Sequence, residues 1–291
     1  MKIGILTLRL FKNYGGILQN YALSRFLQKN GYDVETINIV WSYQLNGVKK
    51  YFVWLKRLVR NMLIGKWYSL DEEKILRNNE LVAAQRVNAF KEKNIPLSQK
   101  VYSLPGADFS DISNKYDTII VGSDQVWRPK YTGGIEKYFL SFADNRIKKI
   151  AYSASFGTDK NEYSFYEKWV CGKLIKRFDA ISVREESAIS LIREQLHWDV
   201  DVIQTLDPTM LLDITDYKSL VGQVVNNNKI FVYILDSSVQ KISFVEKLEK
   251  VLCMPGFTIT PKGMDNKSAY VKERKVLSEV DGFTAAQTER I

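Results

Sequence analysis

The sequence predicts an α/β protein built around a parallel sheet. Short apolar runs alternate with segments of helical periodicity, as in repeated strand–helix–strand units. Several of these runs are followed at once by small or polar residues, which is expected where parallel strands end at one sheet edge. Because 45% of the 291 residues are hydrophobic, the chain can bury a sizeable core and is not disordered as a whole.

The predicted strands follow from the apolar runs, since buried strands typically have about four to eight residues. They lie at 2–8, 34–39, 118–121, 149–153, 180–183, 202–204, 229–235 and 257–260. The first helix opens at Ile17 and is predicted to end at Asn30-Gly31, a common helix stop. Further helices are predicted at 71–93, 163–176, 185–196 and 239–252.

The chain is predicted to contain one complete domain and part of another. Residues 41–117 are too many for one crossover, so we expect a helical excursion over one face of the sheet. Asp207-Pro208-Thr209 interrupts the pattern and separates a Rossmann-like domain at 1–212 from a second α/β part at 213–291. That second part has only two predicted strands and one helix, followed by a polar tail expected to be poorly ordered, so it is predicted to be an incomplete domain.

Composition and charge exclude several classes of function. Residues 1–40 have a net charge of +3 and residues 41–70, with six basic and no acidic side chains, one of +6, whereas residues 71–291 are neutral. The net charge of +9 therefore belongs to the first 70 residues, and two thirds of it to 41–70. This is not the pattern of a uniformly basic protein, and no nucleic-acid partner is expected. Cys171, Cys253 and the single His197 have no metal-binding spacing, so no metal site is expected. Cysteine usage and the lack of a signal-peptide pattern or long apolar run predict a cytoplasmic protein.

The first motif follows the first strand. Asn13-Tyr14-Gly15-Gly16 precedes the helix that begins at Ile17 and contains Gln19. A glycine pair permits a tight turn, and the unpaired N–H groups at a helix start can hold an anion. A plain turn before a helix explains the same residues equally well. The pattern is neither G-x-G-x-x-G nor a P-loop, so it does not indicate nucleotide binding.

The second motif ends a buried strand at Val121 and Gly122. It continues with four polar or aromatic side chains: Ser123, Asp124, Gln125 and Trp127. Ligands of open α/β sheets bind at the carboxyl ends of the strands. Because a plain turn rarely needs Gln and Trp together, we expect these side chains to contact a substrate.

Two more motifs end later strands. Ser153 and Ser155 are small enough to let a ligand approach, or they pack against a neighbouring helix. Arg184 and Glu185 stand where a strand meets a helix. The guanidinium of Arg184 can bind a phosphate or carboxylate at the same sheet edge, or it forms a structural pair with Glu185.

A basic amphipathic segment lies at residues 49–63. On a helical wheel its apolar side chains share one side, and the opposite side is basic: Lys49, Lys50, Lys56, Arg57 and Arg60. A surface helix packed on the core and an interfacial helix on anionic lipid both have this pattern. The surface helix is slightly favoured, and peripheral contact with the inner face of a membrane is the alternative.

Taken in order, these motifs resemble the polysaccharide pyruvyl transferase family. The matching segments are 13–23, 121–127, 153–157, 182–185 and 206–209, and the resemblance extends over roughly residues 2–260. It implies a GT-B-like architecture of two Rossmann-like domains facing a cleft. It also implies transfer of pyruvate from phosphoenolpyruvate, the donor substrate, onto two hydroxyls of a saccharide acceptor in capsule, exopolysaccharide or cell-wall polymer synthesis. No bound cofactor is implied, and Arg184 matches an arginine that contacts the donor.

The resemblance is incomplete near the end of the chain. The family pattern places a general-acid histidine in a late Ser-x-His-Gly-like segment, which this sequence lacks, and His197 lies elsewhere. We therefore expect a chain that is incomplete, or inactive by itself. Two other hypotheses stay open: a glycosyltransferase of similar architecture that uses a nucleotide sugar, and a non-catalytic remnant or binding module.

Overall fold

The computed structural model describes residues 1–11, 13–41, 85–103, 109, 112, 114–221, 228–234 and 238–257. The chain divides into two compact units, one formed by Met1–Leu70 with Lys91–Asp213 and the other by Asp71–Phe90 with Ile214–Ile291. The predicted basic helix at 49–63 and the polar tail lie outside the described residues.

Up to residue 204, the described part of the chain consists of strands and helices that mostly alternate. In chain order they are β1 (Lys2–Leu6), α1 (Tyr14–Lys29), β2 (Asp33–Thr36), β3 (Ile39–Trp41), α2 (Gln85–Asn94), β4 (Val101–Ser103), β5 (Thr118–Val121), α3 (Pro129–Thr132), β6 (Lys148–Ala154), α4 (Phe165–Ile175), β7 (Ala180–Val183), α5 (Glu186–Ser190) and β8 (Ile203–Gln204). Short 3₁₀ turns cover Ile135–Phe139 and Pro208–Met210, and a π-helical turn covers Leu191–Gln195.

Within the described residues of the first unit, six parallel strands form one sheet in the order β2-β1-β5-β6-β7-β8. The chain runs from β1 out to β2 and then returns to the other side of β1 at β5. The strand order therefore reverses between β1 and β5, and ligands of open α/β sheets bind at the carboxyl side of such a switch point. The predicted α/β class with a Rossmann-like parallel sheet is confirmed.

The inner strands β1 and β5 are buried on both faces of the sheet, as expected for parallel strands covered by helices. On one face Ile3, Ile5 and Ile120 pack with Leu23 of α1. Side chains of the opposite face, including Leu6, Ile119 and Val121, join a larger cluster with the aromatic rings that follow β5. The core thus fixes the strand ends from both sides.

Helix α1 begins at Tyr14 and not at the predicted Ile17. The side chain of Asn13 caps the helix by accepting a hydrogen bond from the Gly16 N–H at 3.2 Å. The helix ends at the predicted position, where the Asn30 N–H donates to the carbonyls of the last turn. The start of α1 is therefore held by a side-chain cap directly behind β1.

The predicted strand at 34–39 is two strands in two sheets. At the outer edge of β2 the Thr36 N–H donates to the Pro96 carbonyl at 2.6 Å, and the Ser98 N–H donates to the Thr36 carbonyl at 2.9 Å. Strand β3 then pairs in parallel with β4. The described part of the predicted helical excursion therefore contains a strand, β4, as well as a helix, α2. The chain that follows α2 lies along the open edge of β2.

The C-terminal described part belongs to the second unit. It contains α6 (Ile214–Lys218), β9 (Ile230–Phe231), α7 (Val239–Leu252) and β10 (Gly256–Phe257), with β9 and β10 parallel. Helix α7 has its predicted bounds and buries Val245 against Val232. The order of strand, helix and strand is confirmed, whereas the incompleteness of this part stays a prediction. None of the helices in the described ranges has the length and apolar character needed to cross a bilayer.

Candidate functional site

Polar side chains meet at the carboxyl ends of β1, β5, β6 and β7. Asn13 follows β1, Asp124 follows β5, Ser155 follows β6, and Arg184 and Glu185 follow β7. The parallel register brings these strand ends to one edge, at and beside the switch point. The structure therefore brings together residues from all four predicted motifs.

Arg184 is the centre of this edge. Its Nη2 donates to the Ser155 hydroxyl and to Glu185 Oε1, each at 3.0 Å, and its Nη1 donates to the Ser123 carbonyl at 3.5 Å. Nη1 also lies 3.7 Å from Asp207 Oδ2. The Arg184 side chain is 26% exposed.

Glu185 and Ser155 hold one side of the guanidinium. The Ser155 hydroxyl donates to Glu185 Oε1 at 2.5 Å and accepts from the Gly157 N–H at 3.0 Å. The other carboxylate oxygen of Glu185, Oε2, is buried and accepts no hydrogen bond from the described residues. Arg184 therefore forms the structural pair with Glu185, and the binding of a phosphate or carboxylate by its guanidinium stays a prediction.

Asp124 lies between the start of α1 and Arg184. Its Oδ2 accepts from Asn13 Nδ2 at 3.0 Å, and its Oδ1 accepts from the Gln125 N–H at 2.8 Å. Burial raises the pKa of Asp124, opposed by these hydrogen bonds and by the positive charge of Arg184. The carboxyl group thus keeps its proton to a higher pH than an ordinary aspartate.

Two glycines are required here by close approach. A Cβ at Gly16 would lie 2.7 Å from Asp124 Oδ2, and a Cβ at Gly122 would lie 2.0 Å from the Tyr152 carbonyl oxygen. A tight turn is not what requires glycine at Gly15 and Gly16, and anion binding at the start of α1 stays a prediction. Neither residue has a positive φ, and the Gly16 N–H is bound by Asn13.

Asp207 was absent from the predicted site. It lies near Arg184, its Oδ2 accepts a hydrogen bond from Gln19 Nε2, and its Oδ1 accepts from the N–H and hydroxyl of Thr209 at 3.0 and 2.7 Å. Gln19 is thereby tied to the site through Asp207. Its signal in the sequence is Asp207-Pro208-Thr209, which is both a break in the pattern of strands and helices and a family motif.

Trp127 does not face the edge. Its side chain is fully buried, its indole N–H donates to the Tyr138 carbonyl at 3.2 Å, and its ring stacks on Phe139 at 5.0 Å. The predicted substrate contact of Trp127 is therefore wrong, because this large ring fills the core beneath the edge. Gln125 is held by a protein partner, since its Oε1 accepts from Arg128 Nη1 at 3.2 Å, and its contact with a substrate stays a prediction.

Ser123 and Ser153 are also enclosed. Ser123 is 2% exposed and reaches Arg184 through its carbonyl and not its side chain. Ser153 is fully buried with a φ of 49°, and its N–H donates to the Ser182 hydroxyl at 2.9 Å. The predicted contact of the Ser153 side chain with a ligand therefore has no access from solvent. Ser155 is fully buried as well, and its hydroxyl contacts Arg184 and Glu185.

The electrostatics of the edge are mainly negative. In the described part of this network one guanidinium, that of Arg184, meets three carboxyl groups, those of Asp124, Glu185 and Asp207. Within the described ranges, these groups do not form a cluster suited to hold a metal ion. The arrangement can present one partly neutralised cation, and a carboxyl group of raised pKa, to a ligand.

The sequence profile of polysaccharide pyruvyl transferases matches residues 13–257, a span that includes every residue of this network. The chain belongs to the polysaccharide pyruvyl transferase family. Comparison with individual curated proteins gave no match.

Solved structures similar to this chain include two alpha-glucosyltransferase complexes. One, with UDP and a 13-mer DNA containing a HMU base, is 13% identical with a TM-score of 0.48, over 89% of this chain and 57% of that chain. The other, with UDP, is 12% identical with a TM-score of 0.46, over 89% of this chain and 58% of that chain. This chain therefore spans a little more than half the length of those proteins.

Proposed function

We propose that the edge around Arg184 binds phosphoenolpyruvate as the donor for pyruvate transfer to a saccharide. The observation that carries the proposal is the position of Arg184 at the sheet edge. Its guanidinium is oriented by Ser155, Glu185 and the Ser123 carbonyl, and its side chain is partly exposed. An arginine fork matches both the carboxylate and the phosphate of this donor. Family membership supports a role in polysaccharide modification.

The proposed reaction balances without an oxidant or reductant. Two acceptor hydroxyls form two C–O bonds to C2 of the donor, and the C2–O bond to phosphate breaks. One hydroxyl proton ends on C3, which becomes a methyl group, and the other leaves with the phosphate. Protonation of C3 needs a general acid. Asp124 is the candidate among the described acidic groups of the edge, because burial favours its protonated form.

Donor binding requires Arg184 to exchange a partner. In the described network its charge is shared with Glu185 at 3.0 Å and Asp207 at 3.7 Å. An incoming anion is repelled by these carboxylates as well as attracted by the guanidinium. We therefore propose that the donor displaces the Glu185 carboxylate from Arg184, and that further cations from outside this network complete the site.

The cellular setting belongs to the same proposal. The distant cysteines and the family suggest a cytoplasmic protein that modifies capsule, exopolysaccharide or cell-wall precursors. The acceptor is a saccharide, and no nucleic-acid partner is proposed. Contact of residues 49–63 with a membrane stays a prediction and is tested by reversing the charges of Lys56, Arg57 and Arg60 in a vesicle-binding assay.

Thermal unfolding with a panel of ligands tests the proposal. The unmodified protein is expected to be stabilised by phosphoenolpyruvate, and Arg184→Ala is expected to lose that shift. Arg193→Ala is the matched control, because Arg193 is exposed on the π-helical turn. Stabilisation by a nucleotide sugar alone would favour the glycosyltransferase hypothesis. A folded protein that responds to neither ligand class would favour a non-catalytic module.

A further inference from the structure

Helix α4 carries an aromatic surface that is exposed among the described residues of the first unit. Its outward side chains Phe165, Tyr166 and Trp169 are 89%, 62% and 54% exposed. Isolated exposed apolar residues are ordinary, but three large rings on adjacent turns of one helix form a patch. This patch and the site around Arg184 share no residue.

The helix is well anchored on its other side, so this exposure is not that of an undocked segment. Cys171 and Ile175 are fully buried in the core of the first unit, and the Trp198 indole donates to the Lys168 carbonyl at 3.0 Å. At its N-terminus Ser164 and Glu167 form a capping box. Because the opposite side of the helix is packed in the core, the three aromatic side chains point away from it.

The patch continues into two lysines. At about 100° per residue, the aromatic positions together with Lys173 and Lys176 lie within an arc of about 100° on the helix surface, over a length of roughly 16 Å. The Lys173 ammonium lies 3.7 Å from the centre of the Trp169 ring. None of the five side chains in this arc is acidic. Aromatic rings and basic charge therefore occupy a single outward face.

We propose that this face of α4 binds an anionic lipid surface. Trp and Tyr are the residues favoured at membrane–water interfaces, and lysines beside them gain from a negative surface potential. The most exposed ring, Phe165, has no polar group for a saccharide hydroxyl. A second copy packed through the same face would bring four lysines together without an acidic partner in the arc. The exposed apolar ring thus favours lipid over a saccharide, and the charge of the lysines favours anionic lipid over a second copy.

Vesicle sedimentation with the full chain tests this proposal. Vesicles of phosphatidylcholine with about 30% phosphatidylglycerol are expected to bind the protein, and vesicles of phosphatidylcholine alone to bind it at least about tenfold more weakly. Phe165→Ser/Tyr166→Ser/Trp169→Ser and Lys173→Glu/Lys176→Glu are each expected to weaken binding about tenfold or more. Tyr32→Ser, which removes a 39% exposed ring on another surface, is the control and is expected to bind normally.

A second measurement separates lipid contact from an effect on folding. Brominated lipids are expected to quench part of the tryptophan fluorescence of the unmodified protein, and Trp169→Phe is expected to bind vesicles but lose that quenching. Equal binding to both vesicle types, or binding that survives both multiple substitutions, would overturn the proposal. A change in sedimentation mass caused by the substitutions would overturn it in favour of a second copy, and binding to an acidic polysaccharide but not to vesicles would overturn it in favour of a saccharide.

Discussion

Replacing Glu185 by Gln is expected to tighten the binding of phosphoenolpyruvate. Glu185 Oε1 accepts from Arg184 Nη2 at 3.0 Å and from the Ser155 hydroxyl at 2.5 Å. Glutamine keeps the length and an acceptor oxygen, and it removes one negative charge beside the cation that the donor is proposed to reach. If the donor and Glu185 compete for Arg184, the neutral side chain is the weaker competitor.

The size of this effect follows from the exposure of the pair. A unit charge about 6 Å from the donor anion costs roughly 0.7 kcal/mol in water and about 3 kcal/mol at an effective dielectric constant of 20. Arg184 and Glu185 are 26% and 32% exposed, so screening places the value between these limits. We expect a gain of about 1.4 kcal/mol, which is about a tenfold lower Kd.

Isothermal titration calorimetry with phosphoenolpyruvate measures this change directly. Glu186→Gln removes the same charge from the next, exposed residue and is expected to leave the Kd within about twofold. The reasoning is refuted if Glu185→Gln weakens binding as much as Arg184→Ala does, because Glu185 would then be needed to orient the guanidinium and would not compete for it.

The remaining predictions concern the support of the site and its core. Gly16→Ala is expected to push the Asp124 carboxyl aside, which costs about 1 kcal/mol of stability and weakens donor binding. Gly15→Ala is the control, because its Cβ would lie 3.4 Å from Asn13, and it is expected to be nearly neutral in thermal melts and titrations. Trp127→Phe is expected to lower the free energy of unfolding in denaturant by about 2 kcal/mol and to leave the donor Kd unchanged. A large change in Kd with little loss of stability would show instead that Trp127 contacts the donor. Hydrogen bonds from Arg128 and Lys130 lower the pKa of Glu162 to about 2. The contribution of these hydrogen bonds to folding stability is therefore fully present above the ordinary carboxyl pKa and is lost as the pH falls towards 2. Glu162→Gln is therefore expected to lower stability by about 1 kcal/mol at pH 7 and by much less near pH 2, and a difference that is constant with pH would contradict this reason.

The strand ends of the site were predictable because parallel strands with continuous apolar runs end at a common edge. The strands at 118–121 and 180–183 have their predicted bounds, and Asp124 and Arg184 come close together as that rule requires. The start of α1 was placed too late because Asn13 caps the helix before the apolar pattern begins.

Other features depend on contacts between residues that are distant in sequence. Asp207 reaches Gln19 across 188 positions and also approaches Arg184, and no local pattern encodes either contact. The pairing of β3 with β4 is likewise non-local. Trp127 was misplaced because its proximity to Asp124 in sequence says nothing about which side of the sheet its ring packs against.

A crystal structure of the protein with phosphoenolpyruvate bound tests the central proposal most directly. The donor carboxylate or phosphate is expected within hydrogen-bonding distance of the Arg184 guanidinium, with the Glu185 carboxylate moved out of its present 3.0 Å contact. A donor bound elsewhere on the protein, while Arg184 keeps both Glu185 and Asp207, would contradict the account.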